Sequence, residues 1–156
     1  MNIDHNLNSL QALDLAELVN KTRQWAIDRD IIGPTQQGTL MGQSLKLIEE
    51  SMEVREAVFC LAGAEAMAKL VAPLTEKPNL LDVDQTEANS AIQQELDEIK
   101  SQVIDGIGDT TVVCIILCEM MDINIIDALA QAYNEIKDRK GKMINGTFKK
   151  LYNQTD

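Results

Sequence analysis

The chain has a single histidine, three cysteines and no long apolar run. That histidine, His5, precedes any strong helical pattern, which excludes a di-iron carboxylate bundle, since such a bundle needs Glu-x-x-His pairs on two helices. Cys60, Cys114 and Cys118 are odd in number and sit among Val, Ile, Leu and Phe, as reduced core thiols do, and no disulfide frame is indicated. Cys114 and Cys118 share a helix face but lack the two further soft ligands that zinc would need. The longest apolar stretch, Val112 to Cys118, has seven residues, against the ~20 required to span a bilayer. Met1 to Leu10 has neither the basic start nor the apolar core of a signal peptide, so a cytoplasmic protein away from membranes is expected. Cations are also scarce. The 14 Lys and Arg against 25 Asp and Glu leave a net charge of -11, which argues against a nucleic-acid polymer as partner, because a phosphate backbone is held chiefly by clustered cations. No strand-like alternation, long repeat or low-complexity tract is visible.

What is present is helical periodicity. With 156 residues and 45% apolar content the chain suits one domain, burying ~70% of the surface its unfolded form exposes. Asn8 or Ser9 is placed to cap a first helix carrying Leu15, Leu18, Trp25 and Ile27, with Gly33-Pro34 as its stop. Thr35 or Thr39 opens a second helix, in which Leu40, Leu45, Ile48, Met52 and Phe59 form an apolar face and glutamates the opposite flank, with a break or bend at Gly63. A short helical stretch spans 64–71, and 73–89, which contains Pro78, reads as a loop; 64–90 as a whole looks like an insertion. Ile92, Leu96, Ile99 and Val103 mark the stripe of a further helix, which becomes apolar on every side at Val112 to Leu117. Asn124 is placed to cap a last helix carrying Ile126, Leu129, Ala132, Tyr133 and Ile136, and 141–156 reads as an irregular basic tail. The fold expected is all-α, four or more helices in an antiparallel bundle, completed by oligomerisation to a homodimer or a homotetramer built as a dimer of dimers.

The chemistry is carried by acids. Glu49, Glu50 and Glu53 lie on one flank of the second helix, and Asp105 and Asp109 stand one turn apart on the later one. Two carboxylates held ~4 Å apart repel by about 4 kcal/mol at an effective dielectric near 20, so bringing these helices together calls for a bound cation. An all-oxygen donor set selects a hard ion, Mg2+ or Mn2+, and magnesium favours phosphate-bearing substrates. Other motifs fail. Residues 82–93 begin like a calcium loop but carry Glu87 and Gln93 where Gly and Glu belong, and Gly33 to Gly38 has P-loop glycine spacing but is followed by Thr39 and Leu40. Six of the 14 cations, Lys137, Arg139, Lys140, Lys142, Lys149 and Lys150, fall within residues 137–150, beside an otherwise acidic body.

Lys46-Leu-Ile-Glu49-Glu50-Ser-Met-Glu53 resembles the EExxE motif of the MazG-like all-alpha nucleoside triphosphate pyrophosphohydrolases, and Asp105-Gly-Ile-Gly-Asp109 resembles their second acidic motif. Trp25 to Arg29, Ala132 to Lys142 and Asn145 to Lys149 are similar to stretches of phage-type members, so the likeness covers most of residues 24–150 outside the insertion. The second motif departs from the family's ExxD, because Gly106 stands where its glutamate would be and Asp105 lies one residue earlier. The resemblance implies cleavage of a nucleoside triphosphate between its alpha and beta phosphates, releasing the monophosphate and pyrophosphate. The metal ligands expected are Glu50, Glu53, Asp105 and Asp109, and Glu49 is the base that activates water. Lys46, Arg139, Lys140 and Lys142 are candidates for the phosphates, and Trp25 for the base. The rival from another class is a non-catalytic helical assembly module whose acids keep it soluble; a phosphatase releasing one phosphate at a time is a further alternative.

Overall fold

The computed structural model describes residues 14–75 and 85–150. These form four helices, α1 (Leu15–Ile27), α2 (Leu40–Thr75), α3 (Gln85–Met120) and α4 (Ile125–Ile136), followed by two short strands, β1 (Gly141–Ile144) and β2 (Thr147–Lys150). The chain is mostly helical, as expected. No helix among the described residues is long and apolar enough to cross a membrane.

Helix boundaries follow local chemistry. Asp14 accepts a hydrogen bond from the Glu17 amide at 2.8 Å and starts α1, while the expected caps Asn8 and Ser9 lie outside the described residues. The stop of α1 is Asp30, not Gly33-Pro34. Asp30 adopts a left-handed φ of 56°, its amide bonds to the Ile27 carbonyl and the Ile31 amide to the Ala26 carbonyl, the paired bonds of a Schellman cap. Asp122, with φ 55°, ends α3 in the same way. Thr39 starts α2 by accepting from the Gly42 amide at 3.0 Å, and Asn124 starts α4 by accepting from the amides of Ile126 and Asp127. Both caps were expected from the sequence.

Helices α2 and α3 are each 36 residues, or ~54 Å, and form the main packed pair. Residues meet in opposite order along them, Val54 against Gly106 and the Cys60–Val71 stretch against Ile92–Gln102. Two expectations are corrected. Gly63 does not break α2, because the apolar ridge of α3 holds the chain helical through it to Thr75, past Pro73. Residues 85–89, read as loop, already belong to α3, whose first turn precedes the apolar stripe; of that expected loop, 76–84 lie outside the described residues.

The core is small and lies where α1 meets α3. Ala26, Ile32 and Ile116 are buried there, with Ile27, Ile31, Val112 and Met120 packed around them, and an Arg23–Glu119 ion pair at 2.6 Å ties the two helices at the rim. By contrast the apolar face of α2 is open in the single chain: Leu45, Ile48, Met52 and Phe59 are 60%, 57%, 53% and 78% exposed. Cys114 and Cys118 are half-buried, as expected of packing thiols, and burial beside Cys114 and Glu119 raises the Cys118 thiol pKa; Cys60 is exposed.

The basic tail is not irregular. Gly141–Ile144 and Thr147–Lys150 pair antiparallel, with Ile144 opposite Thr147 and Asn145-Gly146 between them at φ 49° and 74°. Both positive φ values mark the two-residue hairpin turn that Asn-Gly favours.

Candidate active site

A cavity of about 610 Å3 opens between the C-terminal end of α1, the loop that follows it, the first half of α2 and the second half of α3. Its wall includes Trp25, Lys46, Glu50 and Asp109, four of the residues singled out in the sequence, contributed by three helices. The loop wall is rigidly built. The Gln37 amide donates to the Asp30 carbonyl at 2.7 Å, and the Thr35 hydroxyl donates to the Asp30 carboxylate. Gly38 is required there, since a side chain would run into the Ile31 carbonyl and the Met120 methyl.

Glu50 is the unusual member. It is 4% exposed, the one charged residue buried among those described. Its burial follows from the close approach one turn away, where a Cβ on Gly106 would lie only 2.9 Å from the Val54 side chain and 3.5 Å from the Val54 backbone nitrogen. One turn back along α2 from Val54 is Glu50, and one turn forward along α3 from Gly106 is Thr110, so the helix contact carries both into the interface. Glu50 Oε2 and Thr110 Oγ1 are both buried without a hydrogen-bond partner. Such atoms are costly to leave unsatisfied, and a ligand is a standard reason for finding them.

One oxygen of Glu50 is compensated. Lys46 Nζ lies 2.5 Å from Glu50 Oε1 and 2.9 Å from Glu49 Oε1, so a single ammonium bridges two carboxylates. Hydrogen bonds to Glu50 first, and to Glu49 second, hold the Lys46 pKa well above that of a free lysine. Arg29, which does not line the cavity, holds its guanidinium over the Trp25 ring, 4.5 Å from the centroid.

The remaining candidate residues lie away from this cavity. Glu53 and Asp105 are exposed and do not line this cavity, and Glu49 reaches it only through Lys46. Arg139, Lys140 and Lys142 are exposed at the end of α4 and in the hairpin, and none of them lines the cavity. Among the described residues no three His, Cys, Asp or Glu side chains are grouped closely enough to hold a metal ion by themselves. The polar residues that line the cavity are, besides Lys46, oxygen-bearing: Glu50, Asp109, Thr39, Gln37 and Gln43. Oxygen donors of this kind are those a hard cation takes, and they are not those of a soft one. Gln43 was overlooked in the sequence although its spacing of three and seven before Lys46 and Glu50 puts it on their face; Thr110 gave no sequence signal.

Two other cavities, of about 440 Å3 beside the start of α4 and about 640 Å3 between the far halves of α2 and α3, contain none of the expected site residues. Compared with known proteins, the chain matches no protein-family model, no curated protein and no solved structure.

Proposed function

We propose that the protein is a metal-dependent nucleoside triphosphate pyrophosphohydrolase of the MazG-like kind, cleaving between the alpha and beta phosphates. The observation that carries it is Glu50: a buried carboxylate with one free oxygen, on a cavity shared with Asp109, Lys46 and Trp25. Glu50 and Asp109 would hold Mg2+ or Mn2+, with Glu53 and Asp105 as the outer candidates. When bound, the ion supplies Lewis-acid stabilisation of charge on the phosphate oxygens. Glu49, exposed and one position off the buried face, takes a proton from the attacking water. The water oxygen bonds to the alpha phosphorus, the bond to the bridging oxygen breaks, and pyrophosphate leaves with that electron pair. Trp25 offers an aromatic platform for the base, and Arg139, Lys140 and Lys142 offer donors for the outer phosphates from a neighbouring subunit.

Oligomerisation, as a dimer or a dimer of dimers, belongs to the same proposal. Met41, Leu45, Ile48, Met52 and Phe59 are all at least half exposed and fall on one line along α2, at spacings of four, three, four and seven, the seam of a helix-to-helix contact. Ile126, Leu129, Tyr133 and Ile136 repeat the pattern on α4, which buries no residue within the chain. A second copy covering these seams completes an antiparallel helical bundle. The same seams favour the rival, a non-catalytic assembly module.

Incubating the protein with each common nucleoside triphosphate and Mg2+ or Mn2+, then separating products by chromatography, decides between them. Monophosphate plus pyrophosphate is expected. Diphosphate plus orthophosphate identifies a phosphatase, and no turnover together with a melting temperature unmoved by millimolar Mn2+ leaves the assembly module.

A further inference from the structure

We propose that Lys46 is the resident counter-ion of this site, holding Glu49 and Glu50 until the divalent cation arrives and released by its binding. The proposal rests on the metal-dependent function above and concerns the state of the site before metal enters. A carboxylate as buried as Glu50 requires a compensating charge in the metal-free protein, and Lys46 is its ion-pair partner, at 2.5 Å. The second bond of the same ammonium, 2.9 Å to Glu49, draws the exposed glutamate in beside the buried one. Lys46 therefore does for the two acids what a bound metal would do, neutralising them together.

The two partners differ in their freedom to move. The Lys46 side chain is 45% exposed, so its ammonium can swing to solvent without vacating a packed slot, whereas the Glu50 side chain is 5% exposed and stays in place. The free Oε2 of Glu50 is sealed from water. A divalent cation entering from the Asp109 side competes with the ammonium for the Glu50 carboxylate and, at that range, repels it. Exchange is the outcome that leaves neither carboxylate uncompensated. It also delivers a lysine, freed from both glutamates, to the wall of a cavity that contains no other Lys or Arg. An anionic substrate thus meets a cation that the two glutamates otherwise keep engaged.

The test compares the full-length protein with Lys46→Met, Lys46→Gln and Lys46→Arg, using Mn2+ alone without nucleotide. Calorimetric titration gives affinity, and thermal melting with and without Mn2+ gives stability. Without metal, Lys46→Met is expected to melt roughly 5 °C or more below wild type, because a buried charge has lost its partner. Saturating Mn2+ closes most of that gap, and Mn2+ binds the Met and Gln variants at least about fivefold more tightly, the competing cation being gone. The Arg variant, which keeps the charge, stays near wild type. Should Lys46→Met fold poorly, Lys46→Gln carries the comparison, since its amide still donates to a carboxylate. Equal or weaker Mn2+ binding by the neutral variants, with wild type still binding, overturns the counter-ion role and leaves the metal site standing. If neither wild type nor the variants respond to Mn2+, the metal site itself is refuted and the exchange with it. Absence of nucleotide turnover alone touches only the hydrolase assignment.

Discussion

Two glycines one residue apart from being neighbours, Gly106 and Gly108, give opposite predictions on the same helix. Either glycine costs α3 about 1 kcal/mol relative to alanine. A Cβ at position 108 would meet nothing within 4 Å, so Gly108→Ala should recover that stability and raise the melting temperature by about 2–4 °C for a chain of this size. At position 106 the new carbon would sit 2.9 Å from Val54 Cγ2, a branched methyl fixed near the backbone, with the Val54 nitrogen at 3.5 Å and Cα at 3.6 Å behind it. Relieving that crowding requires the helices to part, at a cost of about 1–3 kcal/mol. The propensity gain offsets only the low end of this range, so Gly106→Ala should melt about 2–12 °C below Gly108→Ala. Parting the helices also lifts the cover from Glu50 and Thr110, one turn away, so Mn2+ affinity should drop for Gly106→Ala and hold for Gly108→Ala. Calorimetric melts of the three proteins, side by side, provide the comparison. If Gly106→Ala melts with or above Gly108→Ala, the close approach of α2 and α3 is wrong, and the account of Glu50's burial goes with it.

Glu49→Gln should retain Mn2+ binding while turnover declines by about two to four orders of magnitude, measured under saturating nucleotide; near-normal turnover would remove Glu49 as the base. The proposed oligomer should fall to a monomer in light scattering after gel filtration when Leu45→Glu is combined with Met52→Glu, since both positions lie on the exposed α2 seam; an unchanged oligomeric mass would move the contact elsewhere, and a monomeric wild type would refute the oligomer. Asn124→Ala should cost about 1 kcal/mol, or roughly 2–4 °C in melting temperature, by removing the acceptor for the first amides of α4. A smaller loss would show that α4 is held by contacts beyond its own cap.

Sequence reasoning succeeds here where the physics is local. The Asn124 and Thr39 caps are legible because a short side chain satisfies amides two or three residues away, whatever the rest of the chain does. The Asn145-Gly146 turn is equally legible, since adjacent residues tolerant of positive φ mark a hairpin, yet the lysines around it draw the reading to an irregular basic tail. Gly63 misled because an isolated glycine weakens a helix by about 1 kcal/mol without having to end it when a long partner helix packs alongside.

The acids divide along the same line. That Glu49, Glu50, Glu53, Asp105 and Asp109 form two groups on two helices follows from their spacing alone, because helical geometry fixes which residues share a flank. Which of them is buried does not follow. Glu50 and Glu53 share a flank, but the rotation of α2 against α3 and the Val54–Gly106 contact carry Glu50 to 4% exposure and leave Glu53 in solvent. The same rotation turns the most apolar line of α2 outward. Periodicity determined that a helix has two faces; only the packing of one helix on another, a contact between residues some fifty positions apart, decided which face meets the neighbouring helix and which stays exposed.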